Sequence, residues 1–202
     1  MKDVLLLGIG NVLLGDDGLG AWFAKAFPQR YDMPPNLEVI EGGTLGLELL
    51  DCIAGRRALI VVDAVATRGG KAGDVVRLAG DTVLVSLGTK MSTHDIALRD
   101  LLAAATLLGC MPQAVVVCGI EPTPIAPHVA LSADVRAALP ALEGLVLDEL
   151  ARFGCVCAPI AGGSQAWNAF ALGTPESQRN DFISVRSSAA CGTFCAMDMP
   201  PT

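Results

Sequence analysis

Short, unbroken apolar runs alternate with stretches whose apolar residues recur at helical spacing. The runs at 4–7, 58–62 and 114–119 have the length of buried strands, 37–40 reads as a further short strand despite Glu38, and each ends in glycine or an acid. Between them, Leu19, Trp22, Phe23 and Ala26 predict a helix over 17–31, and Leu45, Leu49 and Ile53 a second over 44–53. Leu98, Leu101, Leu102 and Ala105 predict a third over 95–108, and a last amphipathic helix spans 133–153. Pro28 should close the first of these helices early, and Pro140 should kink or delay the last. The glycine-rich loop with Gly69, Gly70 and Gly73 leads into an edge strand over 74–78. Strands that alternate with helices predict an α/β fold, a mostly parallel twisted sheet flanked by helices on both faces. The pattern holds through 1–157, read as one domain. Over 158–202 it fades into glycines, serines and scattered Trp167, Phe170 and Phe182, read as a poorly ordered C-terminal tail.

Composition narrows the class. With 52% hydrophobic and 17% charged residues, the 202-residue chain is globular and can bury a sizeable core. A net charge of −7 without a basic run argues against a broad nucleic-acid surface. No apolar run is long enough to span a bilayer, and the N-terminal stretch has no cleavage-site pattern, so a cytoplasmic protein is expected. Of seven cysteines, Cys52, Cys110 and Cys118 lie in apolar segments and read as reduced core residues. No CxxC pair occurs; Cys155 and Cys157, or Cys191 and Cys195, read as chance placements in a loose tail.

The candidate chemistry centres on VLLLGIGNVLLGDDGLG, Val4 to Gly20. Gly8-x-Gly10 after a strand invites a dinucleotide-binding reading, with Glu41 as the ribose-binding acid. The third glycine of that fingerprint is replaced by Leu13. Asp16 and Asp17 then stand where a pyrophosphate would need positive potential. The chain has no GxxxxGK[ST], HExxH or GxSxG motif, and GGSQA at 162–166 lacks the second glycine of a nucleophile elbow. The only histidines are His94 and His128, and neither lies within sequence reach of a cysteine at a strand end or helix start.

The constellation that remains is Asp17, Asp63 and His94. Each falls just past a predicted strand or at a predicted helix start, and a doubly wound topology gathers such positions along one edge of the sheet. Two carboxylates and an imidazole suit a divalent transition metal, and three protein ligands leave a position open for chemistry. Ser92 is a candidate N-cap with Asp95 three residues on, and the positive helix end favours neutral imidazole. Taken singly, each has an ordinary explanation: Asp16 and Asp17 as helix caps, Asp63 as a turn cap, His94 as a loop histidine bonded to backbone.

Five segments resemble one family. These are G-x-G-N-x-L-x-x-D-D-G-x-G at Gly8 to Gly20, GGT-x-G at Gly42 to Gly46, V-D-A at Val62 to Ala64, S-x-H at Ser92 to His94, and G-I-x-P at Gly119 to Pro122. In this order, over roughly 1–153, the chain resembles the hydrogenase maturation endopeptidases. The resemblance implies a monomeric α/β protease that removes a C-terminal peptide from the large-subunit precursor of a nickel–iron hydrogenase after nickel insertion. The precursor would bring the nickel, and the family's metal-contacting positions fall on Asp17, Asp63 and His94. The first ligand is often Glu in the family and is Asp here, a shorter arm that leaves Asp16 and Asp17 as alternatives. Gly42, Gly43 and Thr44 are expected to shape the cleft floor, so that bulk at Gly42 obstructs the substrate. The tail gains no role from the family. Two other readings stand beside this one: a non-catalytic chaperone that checks nickel in the precursor, and a nucleotide-binding α/β module.

Overall fold

The computed structural model describes residues 2–80, 82–83, 93–124, 127 and 129–162, the side chains of 93–96 excepted. The strand-length segments become four strands of a five-stranded sheet. These are β1 (Val4–Ile9), β3 (Leu37–Gly43), β4 (Ala58–Ala64) and β6 (Ala114–Ile120), with β5 (Val75–Ala79) at one edge. The order is β3-β1-β4-β6-β5, which puts β1, β4 and β6 in the interior, with the first four strands parallel and β5 antiparallel to β6. This is the α/β architecture expected from the pattern.

Strand parity divides the core in two. Leu6, Ile60, Val62 and Cys118 face one side, where they pack with α1 (Leu19–Arg30) and α4 (Ala133–Arg152). Leu5, Leu7, Leu59, Val61 and Val117 face the other, against α2 (Leu50–Ile53) and α3 (Thr93–Leu107). Side chains buried on both faces explain why the central strands read as unbroken apolar runs rather than alternating ones.

Several boundaries differ from expectation. The helix expected over 44–53 is a 3-10 turn, Leu47–Leu49, followed by the single turn of α2. Pro28 sits near the end of α1 without closing it, and α4 runs unbroken through Pro140. The backbone hydrogen bond lost at Pro140 is offset by burial of Leu139, Leu142, Val146 and Leu150 along one face. Ser132 caps α4, its Oγ accepting from the Val135 N–H at 3.3 Å. Cys155 is buried in the core rather than lying in a loose tail. Beyond it, β7 (Ala158–Pro159) pairs antiparallel with β2 (Tyr31–Asp32), and the Ile160 N–H donates to Arg30 O at 2.7 Å. Trp167, Phe170, Phe182, Cys191 and Cys195 fall outside the described residues.

The contact between α1 and the sheet requires glycine. A Cβ on Gly20 would stand 2.0 Å from Val62 O, and one on Gly8 would stand 1.9 Å from Gly20 O. The start of α1 therefore lies directly on the backbones of β1 and β4, and it draws the preceding turn onto the C-terminal edge of the sheet.

Candidate active site

Asp63 is the penultimate residue of β4, not the first residue beyond it, and is 3% exposed. Its Oδ1 accepts from the Ala64 N–H at 2.8 Å. Next to it in the sheet, β1 pairs Gly8 with Val62 and then runs out at Ile9. Gly10 has φ +128°, and a Cβ there would stand 1.8 Å from the Asp17 carbonyl oxygen. That glycine lets the 3-10 turn Gly15–Gly18 fold back over the strand end and pack on β4.

The adjacent acids in this turn have different surroundings. Asp16 Oδ2 accepts from the Thr123 N–H (2.9 Å) and the Thr123 Oγ1 hydroxyl (2.6 Å), and Asp16 Oδ1 accepts from the Ser132 N–H (2.6 Å). Asp16 therefore does not cap α1. It ties the turn to the loop after β6 and to the start of α4. Asp17, also 3% exposed, accepts from the Asn11 N–H at 3.0 Å through Oδ2. Asn11 Oδ1 in turn accepts from the Leu13 N–H, which sets the loop's curvature.

His94 lies in the first turn of α3, not in the loop before it, and its side chain is outside the described residues. The helix runs antiparallel to the strands: its far end leads to Cys110, whose carbonyl accepts from the Gly55 N–H just before β4. The first turn of α3 is consequently at the same sheet edge as Asp17 and Asp63. Ser92, the expected cap, falls outside the described residues, as does His128. Among the described residues no three His, Cys, Asp or Glu side chains form a set that could hold a metal ion.

A further acid, missed by the sequence reading, stands at the same edge. Glu121, 5% exposed and directly after β6, accepts through Oε2 from the Thr67 N–H (2.7 Å) and the Thr67 hydroxyl (2.8 Å). It fastens the loop that leaves β4 beyond Asp63, and Gly119 allows the strands to approach, since a Cβ there would stand 2.5 Å from Asp63 O. The only signal for it was the variable position of G-I-x-P. Glu41, at the end of β3, has its carboxyl raised above the ordinary range by desolvation, partly opposed by Lys25.

Gly42 does not line a cleft floor. It is buried, and a Cβ there would press on Leu7 Cδ1 (2.9 Å) and Leu49 Cδ1 (3.1 Å) in the core. The open position is Gly43, where a Cβ would meet nothing within 4 Å.

The family model described as hydrogenase maturation protease matches residues 23–149. The chain belongs to the hydrogenase maturation protease family. It is 36% identical to the Hydrogenase 2 maturation protease of Escherichia coli (strain K12), over 69% of this chain and 86% of that protein. Its fold superposes on the hydrogenase maturating endopeptidase HybD from E. coli with a TM-score of 0.76 and 33% identity, covering 80% of this chain and 99% of the other. It superposes on the NiFe hydrogenase maturation protease HybD from Thermococcus kodakarensis with a TM-score of 0.58 and 25% identity, covering 72% and 97%. As a hydrogenase maturation protease the chain is a peptide hydrolase. No helix among its described residues is long and apolar enough to cross a membrane.

Proposed function

We propose that this maturation protease removes the C-terminal peptide of a nickel–iron hydrogenase large-subunit precursor, and that it recognises the nickel already held by that precursor through Asp17, Asp63 and His94. The observation that carries the reading is the placement of Asp17 and Asp63. Both are buried carboxylates, Asp63 near the C-terminal end of β4 and Asp17 in the turn folded over the end of the adjacent β1. The hydrogen bonds of Asp16 to Thr123 and Ser132 favour Asp17 over Asp16 as the metal-contacting acid.

Nickel belongs to the substrate here, so engaging it makes cutting conditional on a loaded precursor and fixes where the bond lies. Hydrolysis then needs a base to take the proton of the attacking water and return it to the leaving amine, and a carboxylate at this edge can do both. Backbone donors at Ala64 and Asn11 fix one oxygen of each acid. Those bonds hold the carboxylates in place before substrate arrives. The protein works as a cytoplasmic monomer.

The nucleotide-binding reading has less room in this fold. The spaces beside Gly8 and Gly10 are filled by α1 and by the Asp17 carbonyl, not left for a pyrophosphate. The test is to incubate the protein with nickel-loaded and nickel-free precursor and follow mobility on a gel. A shortened product from the loaded form alone, absent with Asp63→Asn, supports the proposal. Binding without cutting by the unaltered protein would leave the nickel-checking chaperone in its place.

A further inference from the structure

The loops that leave β1 and β3 are joined by a hydrogen bond from the Gly10 N–H to Gly43 O at 2.8 Å. Each also holds its own shape. In the first, Asn11 accepts from the Leu13 N–H through Oδ1 and from the Leu14 N–H through its carbonyl, both at 3.0 Å. In the second, the Leu45 N–H donates to Gly42 O at 2.9 Å and the Gly46 N–H to Glu48 Oε2 at 3.0 Å. These bonded loops hold Leu13 (63% exposed), Leu45 (40%) and Leu47 (57%) out in solvent. Neither 10–15 nor 42–47 has a charged residue, in a chain of which 17% is charged. One exposed leucine is ordinary, but three on two joined loops without charge have the make-up of an interface centre.

Their distance from Asp17 says what covers them. Asp17 Oδ2 is 3.0 Å from the Asn11 nitrogen, and Leu13 is two residues further along the same loop. Consecutive Cα atoms are ~3.8 Å apart, so the Leu13 backbone lies within about 11 Å of the Asp17 carboxylate. Through the Gly10–Gly43 bond the Leu45 backbone lies within about 16 Å of it. A stable protein partner covers about 800 Å² on each side, a patch roughly 16 Å in radius. A footprint of that size centred on Asp17 takes in Leu13 and Leu45 and approaches Leu47. A folded protein that delivers nickel to Asp17 therefore lies over these leucines.

We propose that Leu13, Leu45 and Leu47 form a docking face for an apolar surface on the folded body of the large-subunit precursor, beside the segment that is cut. The inference rests on the proteolytic reading above. It divides recognition in two: the leucines supply affinity, and the acids make cutting conditional on nickel. Because the loops are already fixed by their own hydrogen bonds, little ordering is needed when the precursor docks. The Asn11 bridge between Asp17 and Leu13 keeps the docking face in register with the metal-contacting acid.

The experiment assays the full chain against nickel-loaded precursor over a range of concentrations, with Leu13→Ser and Leu47→Ser made singly and together. The double variant should raise KM at least tenfold with kcat within about twofold and the melting temperature unchanged. Leu13→Ser alone, with a rise of about threefold, reports if the double variant fails to fold by circular dichroism. In an Asp63→Asn background, where cutting is stopped, calorimetry should show the same loss of affinity for loaded precursor. Leu107→Ser is the control: it alters an 88% exposed leucine at the far end of α3 and should leave both constants as they were. An unchanged KM in the Leu13 and Leu47 variants, or an equal rise with Leu107→Ser, would overturn the docking face while leaving the protease intact. So would sedimentation of the unaltered protein as a dimer that the double variant splits, which would assign the face to a second copy. Failure of the unaltered protein to cut any loaded precursor would overturn both readings.

Discussion

Arg77 on β5 and Glu149 on α4 meet through two hydrogen bonds, Nε to Oε1 at 2.8 Å and one NH2 nitrogen to Oε2 at 3.1 Å. Glu149 is 1% exposed, and Arg152 also approaches it at 3.1 Å. The Arg77 hydrogen bonds hold the Glu149 carboxyl below its ordinary value against the opposing effect of burial. A depressed folded-state value means the pair's contribution is fully present above the unfolded carboxylate range, near 4.5, and is lost as pH falls through the lowered value. Melting temperature should therefore drop on acidification below that range. Glu149→Gln should flatten that part of the profile and cost about 2 kcal/mol at neutral pH, measured by thermal melts from pH 3 to 7.

Asp16 and Asp17 should separate stability from activity. Asn in place of Asp16 turns an amide NH2 towards either the Ser132 or the Thr123 donor, so one backbone N–H loses its acceptor. The expected cost is about 1–3 kcal/mol, with residual processing in proportion to the folded fraction. Asn in place of Asp17 can still accept from the Asn11 N–H. Its melt should change little, while cleavage falls at least a hundredfold. Denaturant titrations beside gel-based cleavage rates distinguish the two.

His94→Ala should leave circular dichroism and melting essentially unchanged, because alanine suits the first turn of a helix such as α3. Processing of loaded precursor should disappear. A variant that unfolds would count against a ligand role.

The Cys118 thiol is pushed up to about 12 by burial, with Glu149 adding to the effect and Arg77 opposing it. A thiol held protonated and covered should resist alkylation at pH 8. Peptide mapping after iodoacetamide treatment should show labelling at half-exposed Cys52 and Cys110 well before Cys118, whose labelling should follow global unfolding. Early modification of Cys118 would mean that the sheet opens beneath α4.

The sheet was legible because its central strands are covered on both faces, which leaves unbroken apolar runs such as Ala58 to Val62. Asp63 could be picked out because such a run ends on a carboxylate. Asp16 could not be read in the same way. Locally it looks like a helix cap, while its partners Thr123 and Ser132 lie 107 and 116 residues away. Glu121 was hidden in a proline-rich loop for the same reason, since its partner Thr67 is 54 residues back. The β2–β7 ladder has two residues per strand, too few to show any period. Pro140 misled because the rule for proline in a helix is local, whereas the face of α4 around it is anchored by tertiary burial.

The long reach of Asp16 has a consequence for a chain still being made. The turn that carries Asp17 is translated early, yet its tether waits for Ser132 and the helix that follows. A growing polypeptide on the ribosome would hold both acids long before it could fix their positions. The fixed geometry of the turn thus waits until Ser132 and the start of α4 have left the ribosome.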